Sequence, residues 1–401
     1  MIASQAHRFS IPESVHYLNC AYMAPLADTV SAAMVEGAGL KKHPWGFRPA
    51  DFFTLSEDFR SAAAEVAGIS AECVAIVPSV SYALATAAAN LPLQRGQRIV
   101  TLADQFPSNV YAWRELAARE GGEVLAVERP SQDDWTGAVL EAIDERTAIA
   151  ALPHNHWADG RVVDLVAVGE RCRAVGAALV LDLTQSLGAA PLDLAAVRPD
   201  FAVAACYKWM MGPYGIGMLY VDPKHHGGTP LEHNWINRAG SEDFARLVDY
   251  REDFQPGARR FDMGEKSNPP LLMGASAACA FLLEFGVDAI ARTLAARTQA
   301  IADAADGLGL TSAPIGTRAP HFLALEFPEG IPEGLTERLA AAQVHVSLRG
   351  NSLRVTPHLY NTDADTDARR SRLSLVSQST CIQLPQVPVP VTQPQHKSSN
   401  N

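Results

Sequence analysis

Asp182 closes the apolar run ALVLD, and Lys208 follows the apolar run FAVAAC. If both runs are strands of one parallel sheet, both side chains reach the edge at which such sheets bind ligands. Each residue alone is commonplace: an aspartate at a strand end caps a turn, and a loop lysine is solvated. Together they have a chemical logic. A lysine removed from water loses its proton near neutral pH and condenses with an aldehyde to give an imine. A carboxylate beside a pyridine nitrogen keeps that nitrogen protonated, which turns the ring into an electron sink for a bond breaking at a substrate α-carbon. Farther upstream, Ser79, Val80 and Ser81 open a helical segment directly after VAIVP. Free backbone N–H groups and the positive dipole end make that turn a seat for phosphate, with a plain serine N-cap as the alternative.

The elements that must position these residues alternate through the first two thirds of the chain. Strand-like VAIVPS, RIVTLA, AIAALPH, ALVLD, FAVAACYKW and GIGMLYV are interleaved with helical SYALATAAANL, NVYAWRELAAREG and VDLVAVGERCRAVG. This predicts an α/β fold, a mainly parallel sheet between helices. After Phe261 come the apolar helix NPPLLMGASAACAFLLEF, a second helix, and HFLALEF, VHVSLRG and NSLRVTPHL, the pattern of a smaller α+β domain. The expected division is an N-terminal arm over 1–25, a large domain over 26–260, a small C-terminal domain over 261–367 and a tail over 368–401. The tail, rich in Pro, Gln and Ser and without helical period, is expected to be disordered.

A chain of 401 residues, 48% apolar and 19% charged, has the balance of a soluble globular protein. A net charge of −11 without a basic stripe argues against nucleic acid as partner. No run is long enough to span a bilayer and no secretory signal stands at the start, so no membrane association and a cytoplasmic location are expected. The six cysteines (Cys20, Cys73, Cys172, Cys206, Cys279, Cys381) show no C-x-x-C pairing, which favours buried free thiols over disulfides or a metal site.

The stretches LVLDLTQSLGAAPLDL and ACYKWMMGPYGIGMLYV resemble those of class V aminotransferases. This is a fold-type I group that also includes cysteine desulfurases, kynureninase and isopenicillin N epimerase. The similarity runs from YLNCAYMAPL to LRVTPHLYNT. It implies pyridoxal 5'-phosphate as cofactor, held as an aldimine by Lys208, with Asp182 on the pyridine nitrogen and Gln185 donating to the ring hydroxyl oxygen. It further implies phosphate contacts from Ser79, Val80, Ser81 and Tyr207, a stacking ring from Phe106, and Asn155 near the ring oxygen. The segment PSVSYAL departs from the family's Gly-Ala-Thr turn, since both Gly and Thr are replaced. Arg354 matches the arginine that grips the substrate carboxylate, with Arg349 as a second candidate. Trp235 is expected at the cofactor phosphate across a homodimer interface, or simply packed. Gly264 is followed by Glu265 where many relatives have Gly-Thr. Ser267, Asn268, Pro269 and Pro270 instead resemble the kynureninase pattern, which places Ser267 at the cofactor and Asn268 near the substrate side chain; a proline pair opening a helix is the structural alternative.

The desulfurases carry a nucleophilic cysteine shortly before the carboxylate arginine, and residues 343–354 contain none. Transamination of an amino acid comes first because it asks least beyond the shared residues. A kynureninase-like or C–S β-lyase activity and epimerisation are the alternatives within the family, and a catalytically silent cofactor-binding module is the alternative outside enzymes.

Overall fold

A computed structural model describes residues 1–131 and 134–366. The expectation for 368–401, and Cys381 with it, lies outside the described residues. A short strand β1 (His16–Tyr17) precedes helices α1 (Asp28–Leu40) and α2 (Asp51–Ala67). Strands and helices then alternate as β2 (Val74–Val77), α3 (Val80–Asn90), β3 (Arg98–Leu102), α4 (Ser108–Glu120), β4 (Glu123–Val127), α5 (Trp135–Ala142) and β5 (Thr147–Pro153). They continue as α6 (Leu165–Val175), β6 (Ala178–Asp182), α7 (Leu194–Val197), β7 (Phe201–Ala205) and β8 (Gly217–Val221). The remainder holds α8 (Pro269–Phe285), α9 (Val287–Asp306), β9 (Leu323–Glu326), α10 (Leu335–Ala341), β10 (Val344–His345), β11 (Ser347–Arg349), β12 (Ser352–Val355) and α11 (Asp363–Thr366).

Strands β2 to β8 form one seven-stranded sheet in the order β2-β8-β7-β6-β5-β3-β4. Only β8 runs against its neighbours β7 and β2. Hence β2 and β7 point the same way, and the carboxyl ends of β2, β6 and β7 meet at one edge. The strands read as nearly continuous apolar runs because both faces are covered. Successive residues alternate between the two cores: Val74, Ile76, Leu179 and Leu181 face one, Ala75, Val77, Val180 and Val203 the other. Among the described residues, no single helix is long and apolar enough to cross a membrane.

The packing changes not at residue 261 but within α9. Helix α8 lies against α1 and α2 and buries Leu272, Ala275 and Leu282 in the large core. Its approach is close: a Cβ on Gly37 of α1 would stand 2.7 Å from the Pro269 backbone. The chain then turns at Gly286 (φ 77°) and α9 leaves α8 at 76°. The separate small core gathers Ile301, Leu323, Leu325, Leu339 and Leu353, and Leu18 of the N-terminal arm joins it. The arm is fixed there by parallel pairing of β1 with β10.

Candidate active site

Asp182 is the last residue of β6 and Lys208 follows β7 by three positions, so both stand at the carboxyl edge. Between them opens a cavity of about 230 Å³. Ser79, Val80, Ser81, Phe106, Asn155, Asp182, Gln185, Tyr207 and Lys208 all line it, although they come from five separate segments at the ends of β2, β3, β5, β6 and β7. Ser79 caps α3 by accepting from the Tyr82 N–H at 3.2 Å, and its hydroxyl meets that of Ser81 at 2.9 Å. The first-turn N–H groups of α3 therefore face the cavity wall with their dipole end.

Lys208 is buried, its Nζ 5.2 Å from the Phe106 ring centre and 5.4 Å from that of Tyr207. Burial pulls its pKa down to about 8; Asp182 opposes this and Arg354 adds to it. For Asp182, burial pushes the carboxyl upward, against the pull of Thr184 and Lys208. Its Oδ1 accepts from the Thr184 N–H at 3.0 Å. The Tyr207 phenol is pushed up to about 12 by burial, with Tyr214, 4.6 Å away ring to ring, adding to the shift. Gln185 donates through Nε2 to the Ala21 carbonyl at 3.1 Å and accepts from Trp209 Nε1 at 2.9 Å. One N–H of its amide is left over.

The remaining expected residues lie outside this cavity. Trp235 is 40% exposed and packs in an aromatic cluster with Phe52, Phe53 and Phe244. The Ser267 hydroxyl donates to the Phe52 carbonyl. Asn268 is the N-cap of α8, its side chain accepting from the Leu271 N–H at 3.3 Å, with Pro269 opening the helix. The structural alternative thus describes how this segment is used in the fold: a capping side chain and a ring with φ already helical start α8. Arg354 stands on β12, the middle strand of the β11-β12-β9 sheet, and is buried. It donates to the Trp157 carbonyl at 2.8 Å. Burial, with Arg349 adding, pulls its pKa down to about 9.

Trp157 was not among the expected residues. Its ring meets Phe106 edge-on at 5.6 Å, and its Nε1 donates to the Asp104 carbonyl at 2.6 Å. It joins the cavity to Arg349 and Arg354. Its place two positions after Asn155 in PHNHWADG, just past an apolar strand, was the available signal. Tyr214 and Thr184 also line the cavity.

Two lining side chains test what fills the space. Asn155 is buried with both amide atoms lacking a hydrogen-bond partner, and Gln105 Nε2 is in the same condition. Orphaned buried amides cost about 1–3 kcal/mol each unless a ligand satisfies them. Acceptor oxygens on a planar ring, an aldehyde for Lys208, a protonated nitrogen for Asp182 and a phosphate for the α3 turn match this donor set. The residues fit a phosphorylated pyridine aldehyde, and the class of protein so defined is the lysine-dependent pyridoxal phosphate enzyme of fold-type I.

Known proteins narrow the class. The chain belongs to the class-V aminotransferase family, whose model matches residues 47–380. It is 27% identical over 325 residues to an uncharacterised aminotransferase of Bacillus subtilis, covering 77% of this chain and 80% of that one. It is also 27% identical over 311 residues to a kynureninase of Burkholderia mallei, covering 73% and 69%. In fold, a cysteine desulfurase of Thermococcus onnurineus superposes with a TM-score of 0.78 at 18% identity, covering 94% of this chain and 98% of that one. A mutant of the cystine C–S lyase C-DES, with glycine covalently linked to its pyridoxal phosphate, gives 0.82 at 17%, covering 92% and 99%. Pyridoxal phosphate is the cofactor of this enzyme.

A lysine must be neutral to attack the cofactor's aldehyde. Reconstitution of the cofactor-free protein is therefore expected to quicken tenfold per pH unit below about 8 and to level off above it, because the neutral fraction of Lys208 saturates there. Stopped-flow absorbance against pH checks this, with correction for the titration of free cofactor. A plateau reached only above pH 10 would return Lys208 to an ordinary, solvated lysine.

Proposed function

We propose that the chain is an amino-acid transaminase, acting on an α-amino acid with Lys208 as the catalytic base. The observation that carries this is the meeting of Lys208, Asp182 and the α3 turn in one cavity, with Arg354 beyond Trp157. When bound, the cofactor supplies an electron-poor ring that takes up the electron pair released at the α-carbon. Lys208 would hold the cofactor by its aldehyde until a substrate amine displaced it, and its freed Nζ would then take the proton from the α-carbon and deliver it to the cofactor side, the transfer that transamination requires. Asp182 Oδ atoms hold the proton on the ring nitrogen. Asn155 and the leftover N–H of Gln185 orient the ring through its oxygen. Phe106 and Trp157 keep water off the face above Lys208. Arg354 binds the substrate α-carboxylate through its two-pronged guanidinium.

A cysteine-persulfide route has little support. The five described cysteines are all buried. Cys20, whose Sγ lies 4.0 Å from the Lys208 carbonyl oxygen, has its thiol pushed far up by burial. A C–S or C–C β-lyase is the second reading, favoured by the kynureninase relative, although Ser267 donates to the Phe52 carbonyl of α2 and Asn268 caps α8. The exposed Trp235, packed on half-buried Phe52, Phe53 and Phe244, supports a homodimer contact on that face.

A screen of the holoenzyme against single amino acids decides between the reactions. Pyridoxamine phosphate and keto acid without fragments mean transamination; pyruvate, alanine or sulfide means a lyase. Replacement of Arg354 by Gln is expected to lower kcat/KM by about 10²-fold, mainly through KM, because one charge-assisted clamp is lost. Steady-state kinetics check it; an unchanged KM would remove Arg354 from substrate binding.

A further inference from the structure

Two guanidinia beside the cavity have no acid among the described residues to balance them. Strand register pairs Ser347 with Arg354 and Ser352 with Arg349, which puts both arginines on one face of the β11–β12 hairpin. Their guanidinium carbons lie 5.7 Å (Arg354) and 5.6 Å (Arg349) from the Trp157 ring centre. Arg354 donates to the Trp157 carbonyl and Arg349 to the Leu348 carbonyl at 2.6 Å, and no ion pair to either is found among the described residues. The buried Nε of Arg354 has no acceptor at all.

Their neighbours show the contrast. Arg129 and Arg161, on the same side of the molecule, both pair with Asp159, and Arg161 also reaches Glu326 at 3.3 Å. In a chain with 44 acidic and 33 basic residues, acids are in surplus. Two adjacent guanidinia without one repel each other and the nearby Lys208, a cost that a ligand's anions would offset. The two are also placed differently. Arg354 is buried, whereas Arg349 lines a cleft of about 840 Å³ on the far side of Trp157. Trp157 borders both this cleft and the cavity at Lys208. A substrate held at Lys208 by its amine and at Arg354 by its α-carboxylate therefore sends its side chain along Trp157 toward Arg349.

We infer that the substrate is an α-amino acid whose side chain ends in a second carboxylate, with Arg354 taking the α-carboxylate and Arg349 the distal one. This rests on the assignment of the cavity at Lys208 to the cofactor and the substrate amine. Trp157 sets the spacing between the two cations, and Arg349 is the specificity-determining residue.

The test uses the holoenzyme with L-aspartate, L-glutamate and L-2-aminoadipate against L-asparagine and L-glutamine. Both the shift of the visible cofactor band and kcat/KM are read. At least one diacid is expected to exceed the amides by about 10²-fold or more, since an amide leaves Arg349 without its anion. Arg349→Gln is expected to cut that preference roughly tenfold to a hundredfold, and Arg349→Lys to keep most of it. The cofactor band of each variant verifies that its site is intact. Diacids no better than amides overturn the inference. So does an equal fall for diacid and amide in Arg349→Gln, which would put both arginines on one α-carboxylate. A protein in which borohydride traps no adduct at Lys208 fails differently, because there the cofactor assignment itself falls.

Discussion

Replacement of Lys208 by Ala is expected to lower turnover by at least about 10⁴-fold, because two contributions vanish together: the covalent hold on the aldehyde carbon and the proton transfer at the α-carbon. The protein should still fold. Lys208 makes no ion pair among the described residues, and its burial, which pulls its pKa down to about 8, is a cost that alanine removes. Lys208→Ala should also yield no borohydride-trapped adduct at this position, as read by mass spectrometry of the digested protein. Lys208→Arg separates the contributions from charge alone. It keeps a cation in the cavity but offers no nucleophile at neutral pH, and should be equally inactive. Residual turnover within tenfold of the parent would move the chemistry to another residue.

Asp182→Asn is expected to lower kcat by about 10³-fold while KM changes little, since it removes a preorganised charge that is felt most as the α-carbon bond breaks. Asparagine has nearly the same shape, so the Thr184 N–H keeps an acceptor and the end of β6 stays in place. What is lost is the negative charge proposed to hold a proton on the ring nitrogen. The buried carboxyl of Asp182 has no contacting cation among the described residues and is pushed toward its neutral form. A bound pyridinium reverses that push, so cofactor affinity should fall as well. Equilibrium dialysis of the cofactor and the split between kcat and KM measure the two effects. A kcat within threefold of the parent would show that Asp182 is a turn residue.

The two residues on which these expectations rest were legible for a simple reason. In a parallel α/β sheet, strand direction repeats with every crossover, so any residue just past the end of an apolar run arrives at the same edge. Asp182, Lys208 and the Ser79 to Ser81 turn are all such residues, and all three reach the 230 Å³ cavity. The fold class followed from the same alternation. Residues beyond the repeating units were harder to place. RRFDMGEKSNPP could be read as a site or as the start of a helix, because an asparagine before two prolines satisfies either. In the fold, Asn268 spends its side-chain oxygen on the Leu271 N–H.

Amino-acid order alone thus determined the alternating elements, the edge at which chemistry gathers and the lysine and carboxylate that stand there, because these depend on local periodicity and chain direction. Only the tertiary structure decided that α8 joins the large core, that β12 is a middle strand which buries Arg354, and that Trp157 lies between two arginines and the cavity. The physical reason is that periodicity states which face of an element is buried, whereas the partner it is buried against is chosen by contacts between segments far apart in the chain.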